Sequence, residues 1–84
     1  MQENITLYHM AFCPYCVRVR RAAKKLGIEL NLIDINDHPE ARGMLLQERQ
    51  RATVPVIEYT TNGQRQLMGE SKDIINYLKQ IASQ

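Results

Sequence analysis

The chain opens with a helical pattern between two segments that favour β-structure. Residues 5–8 and residues 28–35 have the composition of strands, and the second is rich in Ile and Leu. Pro14 suits the first turn of the intervening helix, and Gly27 suits its end. The apolar residues of this helix recur at spacings of three and four, at Cys16, Val19, Ala23 and Leu26. Strands joined by a helix run parallel, and we expect residues 28–35 to form a central strand buried on both faces.

A second helix is predicted in the middle of the chain. Asp37 and Glu40 have the spacing of a capping box, with Asp in place of the usual Ser or Thr. Pro39 lies between them, where the first turn of the helix would be. We expect this helix to run to about Gln50.

The C-terminal part predicts a hairpin followed by a third helix. Asn62-Gly63 is a strong two-residue turn signal between strands at residues 55–59 and 64–68. The helix after Gly69 has an apolar stripe at Ile74, Tyr77, Leu78 and Ile81. The element order is therefore β-α-β-α-β-β-α, which predicts an α/β fold with a four-stranded mixed sheet and three helices.

Length and charge narrow the class of protein. A chain of 84 residues has room for one compact domain, residues 1–84. The net charge of +2 is too small for a dedicated nucleic-acid binder. The first four residues have neither the basic nor the apolar region of a signal peptide, and no apolar run reaches membrane length. We expect a cytoplasmic monomer with no nucleic-acid or membrane partner.

The two cysteines form a Cys-x-x-Cys motif at the start of the first predicted helix. Cys13 lies where unpaired backbone N–H groups and the helix dipole favour an anion, so its pKa is expected to be lowered and its thiolate to be the nucleophile. Cys16 lies one turn later on the inward face, where burial is expected to raise its pKa. That position predicts a resolving thiol, which attacks a mixed disulfide on Cys13.

Other uses of a cysteine pair fit the sequence less well. A disulfide closing so short a loop stabilises a fold by only about 2 kcal/mol. A zinc site needs four ligands, and His9 and His38 lack ligand spacing to the cysteines. A c-type haem site needs His directly after Cys16, where this chain has Val17. No metal site is predicted, and His9 is interpreted as a surface residue instead of a catalytic base.

Two motifs together resemble one family along the whole chain. Cys13-Pro14-Tyr15-Cys16 at the first strand–helix junction and Thr53-Val54-Pro55 before the third strand are similar to those of the dithiol glutaredoxins, which have the thioredoxin fold. The resemblance implies a cis Val54-Pro55 peptide beside the active site, with the Val54 backbone pairing with bound glutathione. Thr53 and Pro55 belong to the same expected binding segment. Pro14 and Tyr15 are expected to support the active site, with Tyr15 beside glutathione.

Gly69-Glu70-Ser71 stands where glutaredoxins and the N-terminal domains of glutathione transferases hold the γ-glutamyl end of glutathione. The resemblance implies that Ser71 takes its carboxylate, as helix N–H groups suit an anion, and that Glu70 pairs with its ammonium. Ser71 as a simple helix N-cap is the alternative. The Glu-Ser pair is closer to the transferases, since many dithiol glutaredoxins have Gly-Gly followed by acidic residues.

Arg51 is the candidate for the glycyl carboxylate of glutathione, because a guanidinium matches a carboxylate with two hydrogen bonds. A solvated arginine at a helix end is an equal alternative. Relatives often carry Lys where this chain has Met10, and Arg18, Arg49 or Arg51 is expected to take over part of that lysine's role.

The resemblance implies a glutathione-dependent reductase of protein–glutathione mixed disulfides and of protein disulfides, with no bound cofactor and glutathione as co-substrate. One alternative is an iron–sulfur carrier that holds a cluster through Cys13 and glutathione. Another is a thioredoxin-like reductase fed by a flavoprotein. A third is a transferase-like glutathione-binding module. The motifs leave the protein substrate open.

Overall fold

The computed structural model describes residues 4–83. Residues 1–3, which contributed to the expectation that a signal peptide is missing, and residue 84 lie outside this range. The elements follow the predicted order: β1 (Ile5–His9), α1 (Pro14–Leu26), β2 (Leu30–Asp34), α2 (Pro39–Arg49), β3 (Val56–Thr61), β4 (Gln64–Gly69) and α3 (Ser71–Ala82). Within residues 4–83, no helix is long and apolar enough to cross a membrane.

The four strands form one mixed sheet in the order β2-β1-β3-β4. β1 runs parallel to β2 and antiparallel to β3, and β3 pairs with β4 as a hairpin. Asn62 and Gly63 have φ values of 53° and 77°, which suit a type I′ turn and explain why Asn-Gly is found there. The predicted four-stranded mixed sheet with three helices is confirmed.

The predicted central position of the second strand is wrong. Within the described part of the chain, β2 is an edge strand that pairs only with β1, and its Leu32 side chain is 51% exposed. Ile28 and Ile35, which made the segment look buried throughout, lie outside the strand and enter two different core clusters. The apolar run therefore consists of two buried residues, Ile28 and Ile35, on either side of a half-exposed strand.

The core has two layers because side chains alternate across β1 and β3. Leu7 and its partner Ile57 face the layer that contains Val19 of α1 and Leu78 of α3. The next pair in the register, Tyr8 and Val56, faces the layer that contains residues of α2, Ala41 and Leu45. Helices α1 and α3 thus cover one side of the sheet and α2 the other.

Helix α2 begins at Pro39, but the predicted capping box does not form. His38 is the N-cap, and the backbone N–H of Asp37 bonds to the carbonyl of Asp34. An N-cap at Asp37 would place His38 in the helix, and a residue before proline is disfavoured in that conformation. His38 has a non-helical backbone instead, with φ −131° and ψ 83°.

Candidate active site

Cys13 is the N-cap of α1 and carries no side-chain capping hydrogen bond. Its backbone N–H bonds to the Met10 carbonyl at 3.2 Å, and its carbonyl accepts from Val17 N at 2.9 Å. Pro14 occupies the first turn, where no acidic side chain is present. The thiol therefore lies at the positive end of the helix dipole with its sulfur available for reaction.

The two thiols have opposite pKa shifts. Burial raises the pKa of Cys13, but the polar N–H groups of Cys16 and Tyr15, the Cys16 thiol and the charge of Arg20 outweigh it and lower this pKa below that of an ordinary thiol. Burial raises the pKa of Cys16 to about 11, and the neighbouring Cys13 sulfur adds to this rise. Cys13 is partly exposed and Cys16 is completely buried.

The sheet register brings distant segments to the same edge as this motif. Tyr8 pairs with Val56, and Val56 pairs with Gly69, so the end of β1, the start of β3 and the end of β4 lie side by side. The chain continues from these positions into the Cys13 loop and into α3. A cavity of about 310 Å³ at this edge is lined by Tyr15, Arg49, Arg51, Thr53, Val54, Pro55, Gly69, Glu70 and Ser71.

The residues that line the cavity include each one that the sequence assigned to glutathione directly, whereas Arg18, named as a substitute for the missing lysine, is not among them. Pro55 is buried and follows a cis peptide bond from Val54, as the resemblance implied. Tyr15 is 58% exposed, and the guanidinium of Arg18 lies 6.0 Å from its ring centroid. Arg51 is exposed at the rim.

Helix α3 begins at Ser71, so the alternative reading of Ser71 as the N-cap is wrong. Glu70 is the N-cap, with φ 66° and ψ 112°, a backbone conformation that is sparsely populated for a residue with a side chain. Strained residues of this kind cluster at binding sites, where the surrounding structure holds them in place.

Arg49, which the sequence named only as one of three substitutes for a missing lysine, also lines the cavity. It ends α2 and is half-buried, and its Nε atom is buried without a hydrogen-bond partner. Gly69 gives its side chain room, because a Cβ atom there would lie 2.5 Å from Arg49 Nη2. No local sequence signal could have found this placement, because it depends on Gly69, twenty positions later in the chain.

The structure also corrects the interpretation of His9. Its side chain is only 8% exposed, and its Nδ1 atom lies 2.9 Å from Arg20 Nη1. Burial, and then the charge of Arg20, lower the pKa of His9. Among residues 4–83, no group of three His, Cys, Asp or Glu side chains could hold a metal ion.

A sequence model of the glutathione S-transferase N-terminal domain matches residues 7–84. The chain belongs to this family. A curated glutaredoxin from Pseudomonas aeruginosa is 32% identical over 53 residues, and the match spans 63% of this chain and 63% of that relative. The predicted resemblance to glutaredoxins, with a transferase-like Glu-Ser segment, is thereby confirmed.

Two solved structures have folds similar to that of this chain. The omega 2S glutathione transferase of Trametes versicolor has a TM-score of 0.78 and 24% identity over 99% of this chain, which spans 38% of the transferase. A thioredoxin-like protein has a TM-score of 0.69 and 23% identity, and the match covers 93% of this chain and 97% of the thioredoxin-like chain. The predicted thioredoxin-like fold is confirmed.

Proposed function

We propose that this chain is a glutathione-dependent thiol-disulfide oxidoreductase with Cys13 as nucleophile and Cys16 as resolving thiol. The observation that carries the proposal is the pair of thiols with opposite pKa shifts at the start of α1, on either side of Tyr15, which lines the cavity. Family membership and the glutaredoxin relative support the choice of glutathione. We place the reaction in the cytoplasm, where thiols are kept reduced, and in a monomer.

The lining of the cavity complements the charges of glutathione. The γ-glutamyl carboxylate would accept from the Ser71 hydroxyl and the N–H groups that begin α3, and the neighbouring ammonium would pair with Glu70. The glycyl carboxylate would bind Arg49, whose buried Nε lacks a partner, with Arg51 at the rim. Tyr15 and the Thr53-Val54-Pro55 segment would form the wall between these two ends.

Reduction of a protein–glutathione mixed disulfide needs Cys13 alone. The Cys13 thiolate attacks the glutathione sulfur, the bond to the protein sulfur breaks, and the protein leaves as a thiolate that takes a proton from water. A second glutathione thiolate then attacks the glutathione sulfur held by Cys13. Glutathione disulfide leaves, and the Cys13 thiolate is restored.

Reduction of a protein disulfide needs both cysteines. Cys13 attacks one sulfur of the substrate and releases the other as a thiolate. Cys16 loses its proton to solvent and attacks the Cys13 sulfur, so the substrate's second thiolate leaves and a Cys13–Cys16 disulfide closes. Two glutathione molecules reduce that disulfide and depart as glutathione disulfide.

The decisive experiment measures reduction of a small glutathionyl mixed disulfide, coupled to glutathione reductase, for wild type, Cys13→Ser and Cys16→Ser. We expect Cys13→Ser to abolish turnover and Cys16→Ser to retain it. An inactive wild type would refute the proposal. Reduction by thioredoxin reductase without glutathione, or a coloured cluster after anaerobic purification, would then identify which of the first two alternatives applies.

Variants of the cavity test the binding mode. Arg49→Gln is expected to raise the KM for glutathione about tenfold, because a charge-assisted hydrogen bond contributes about 1.5–3 kcal/mol. Lys79→Gln removes an exposed charge of α3 outside the cavity and is the matched control. Equal KM values for the two variants would contradict the role of Arg49.

Glutathione conjugation is the second candidate, and membership of the transferase family favours it. This chain spans 38% of the Trametes versicolor transferase. We expect no conjugation of an aromatic electrophile above the uncatalysed rate. Conjugation that survives Cys13→Ser would establish the transferase reaction instead.

A further inference from the structure

A buried histidine, His9, and an arginine, Arg20, lie beside the active-site loop and do not line the cavity assigned to glutathione. Arg20 lies on α1, one turn after Cys16, and its side chain is half-buried. Its Nη1 atom donates to His9 Nδ1 at 2.9 Å, and its Nη2 atom donates to the Ala11 carbonyl at 3.0 Å. The guanidinium thus joins α1 both to the end of β1 and to the loop that leads to Cys13.

This contact fixes the protonation state of His9. An arginine has donors only, so His9 Nδ1 must be the acceptor and the imidazole must be neutral while the bond exists. The environment agrees, since burial and the Arg20 charge lower the pKa of His9, although Asp34 opposes them. Asp34 faces His9 from the neighbouring strand in the sheet register.

The charges around Cys13 make a fixed cation valuable. The loop from β1 to Cys13 consists of Met10, Ala11 and Phe12 and contains no basic side chain. Asp34 and Asp37 line a second cavity of about 490 Å³ together with Cys13. On α1, the guanidinium of Arg18 lies 6.0 Å from the centroid of the Tyr15 ring. Burial opposes ionisation of both cysteines, and the charge of Arg20 acts in the other direction by lowering the pKa of each.

We propose that Arg20, held by neutral His9 and by the Ala11 carbonyl, is a positioning residue that fixes the active-site loop and supplies the cation for the Cys13 thiolate. The inference rests on Cys13 being the nucleophile of the proposed function. Arginine suits the task because its planar fork reaches two acceptors at once.

The test is the pH profile of Cys13 alkylation by iodoacetamide in a Cys16→Ser background. Arg20→Gln is expected to raise the midpoint of the profile by about half to one pH unit, because it removes a positive charge that favours the thiolate. Arg21→Gln is the matched control, because it removes the next charge of the same helix at an exposed position. Equal midpoints for the two variants would overturn the proposal.

Three further variants distinguish the effect of the Arg20 charge from that of the Arg20–His9 contact and from a loss of folding. Arg20→Lys keeps the charge and is expected to restore most of the wild-type midpoint. His9→Asn keeps an acceptor near the position of Nδ1 and is expected to resemble wild type. His9→Phe removes that acceptor and is expected to move the midpoint in the direction of Arg20→Gln. A wild-type midpoint in a His9→Phe protein that melts cooperatively would contradict the role of His9.

The two proposals fail in different ways. Alkylation of Cys13 involves no glutathione, so a wild type that lacks glutathione-dependent turnover would refute the proposed function and leave the effect of Arg20 on the alkylation profile intact. If Arg20→Gln left the midpoint of the alkylation profile unchanged while the wild type reduced glutathionyl substrates, only the present inference would be refuted.

Discussion

Cys13 and Cys16 are expected to react with iodoacetamide at very different rates although they are three residues apart. At pH 7, alkylation proceeds through the thiolate, so the rate follows the ionised fraction, the intrinsic nucleophilicity of the thiolate and access of the reagent. The structure bears on all three factors for Cys16, and Cys13 in the same chain provides the comparison. The perturbation is alkylation itself, so the experiment needs only the wild-type chain.

The pKa of about 11 at Cys16, against 9.0 for an ordinary thiol, lowers its thiolate fraction at pH 7 about 100-fold. A more basic thiolate is a better nucleophile, and a Brønsted coefficient of about 0.4–0.5 returns a factor of about 6–10. After this correction, the raised pKa alone slows alkylation of Cys16 at least about tenfold relative to an ordinary thiol. The lowered pKa of Cys13 and the complete burial of Cys16 widen this ratio.

The assay is time-resolved labelling of the reduced protein at pH 7, followed by quenching, digestion and mass spectrometry of the two modified positions. We expect the first adduct on Cys13, with Cys16 labelled at least tenfold more slowly. The control is the same reaction in concentrated denaturant, where both thiols are expected to label at similar rates. Comparable native rates would refute the assignment of nucleophile and resolving thiol.

Three other substitutions test the packing of the site. Gly69→Ala is expected to displace the Arg49 guanidinium and to raise the KM for glutathione about fivefold, with unfolding free energy changed by less than about 1 kcal/mol; an unchanged KM would contradict this. Glu70→Gly is expected to relieve the backbone at φ 66° and add about 1 kcal/mol of stability, measured by denaturant unfolding, while glutathione binds more weakly; lost stability would refute it. Tyr8→Phe is expected to cost about 1 kcal/mol, because the hydroxyl donates to Glu58 at 2.7 Å. Burial and Glu58 raise the pKa of Tyr8 from 10.0 to about 12, so wild-type stability is expected to fall from pH 10 to pH 12, less steeply in the variant.

Local signals were sufficient for the elements and for the reactive motif. Pro14 and Gly27 set the ends of α1 through fixed φ and a left-handed φ of 74°, and Asn62-Gly63 set the hairpin, all within a few residues. The opposite pKa shifts of Cys13 and Cys16 likewise follow from their positions at the start of one helix. Such features depend on covalent geometry and helix periodicity, which the sequence contains directly.

The position of a strand in the sheet depends on partners far away in the chain. Nothing between residues 28 and 35 reports how many strands lie beside β2, so an Ile- and Leu-rich run was interpreted as central. The capping box failed for a subtler local reason, because the restriction that Pro39 places on His38 outweighed the attraction of the Asp37 and Glu40 spacing.

The site combines both kinds of information. Reactivity comes from one helix start, but the cavity exists only because the register aligns Tyr8, Val56 and Gly69 across three strands. Arg49 shows what the sequence lacked: its side chain enters the cavity because a residue twenty positions later has no Cβ atom. A shift of one residue in the β3–β4 pairing would put Met68 opposite Val56, close the space that Gly69 leaves and keep the Cys13 thiol intact. The thiol chemistry and the glutathione recognition that we propose are therefore separable in this fold, and variants of the hairpin are expected to lose glutathione binding before they lose the reactivity of Cys13.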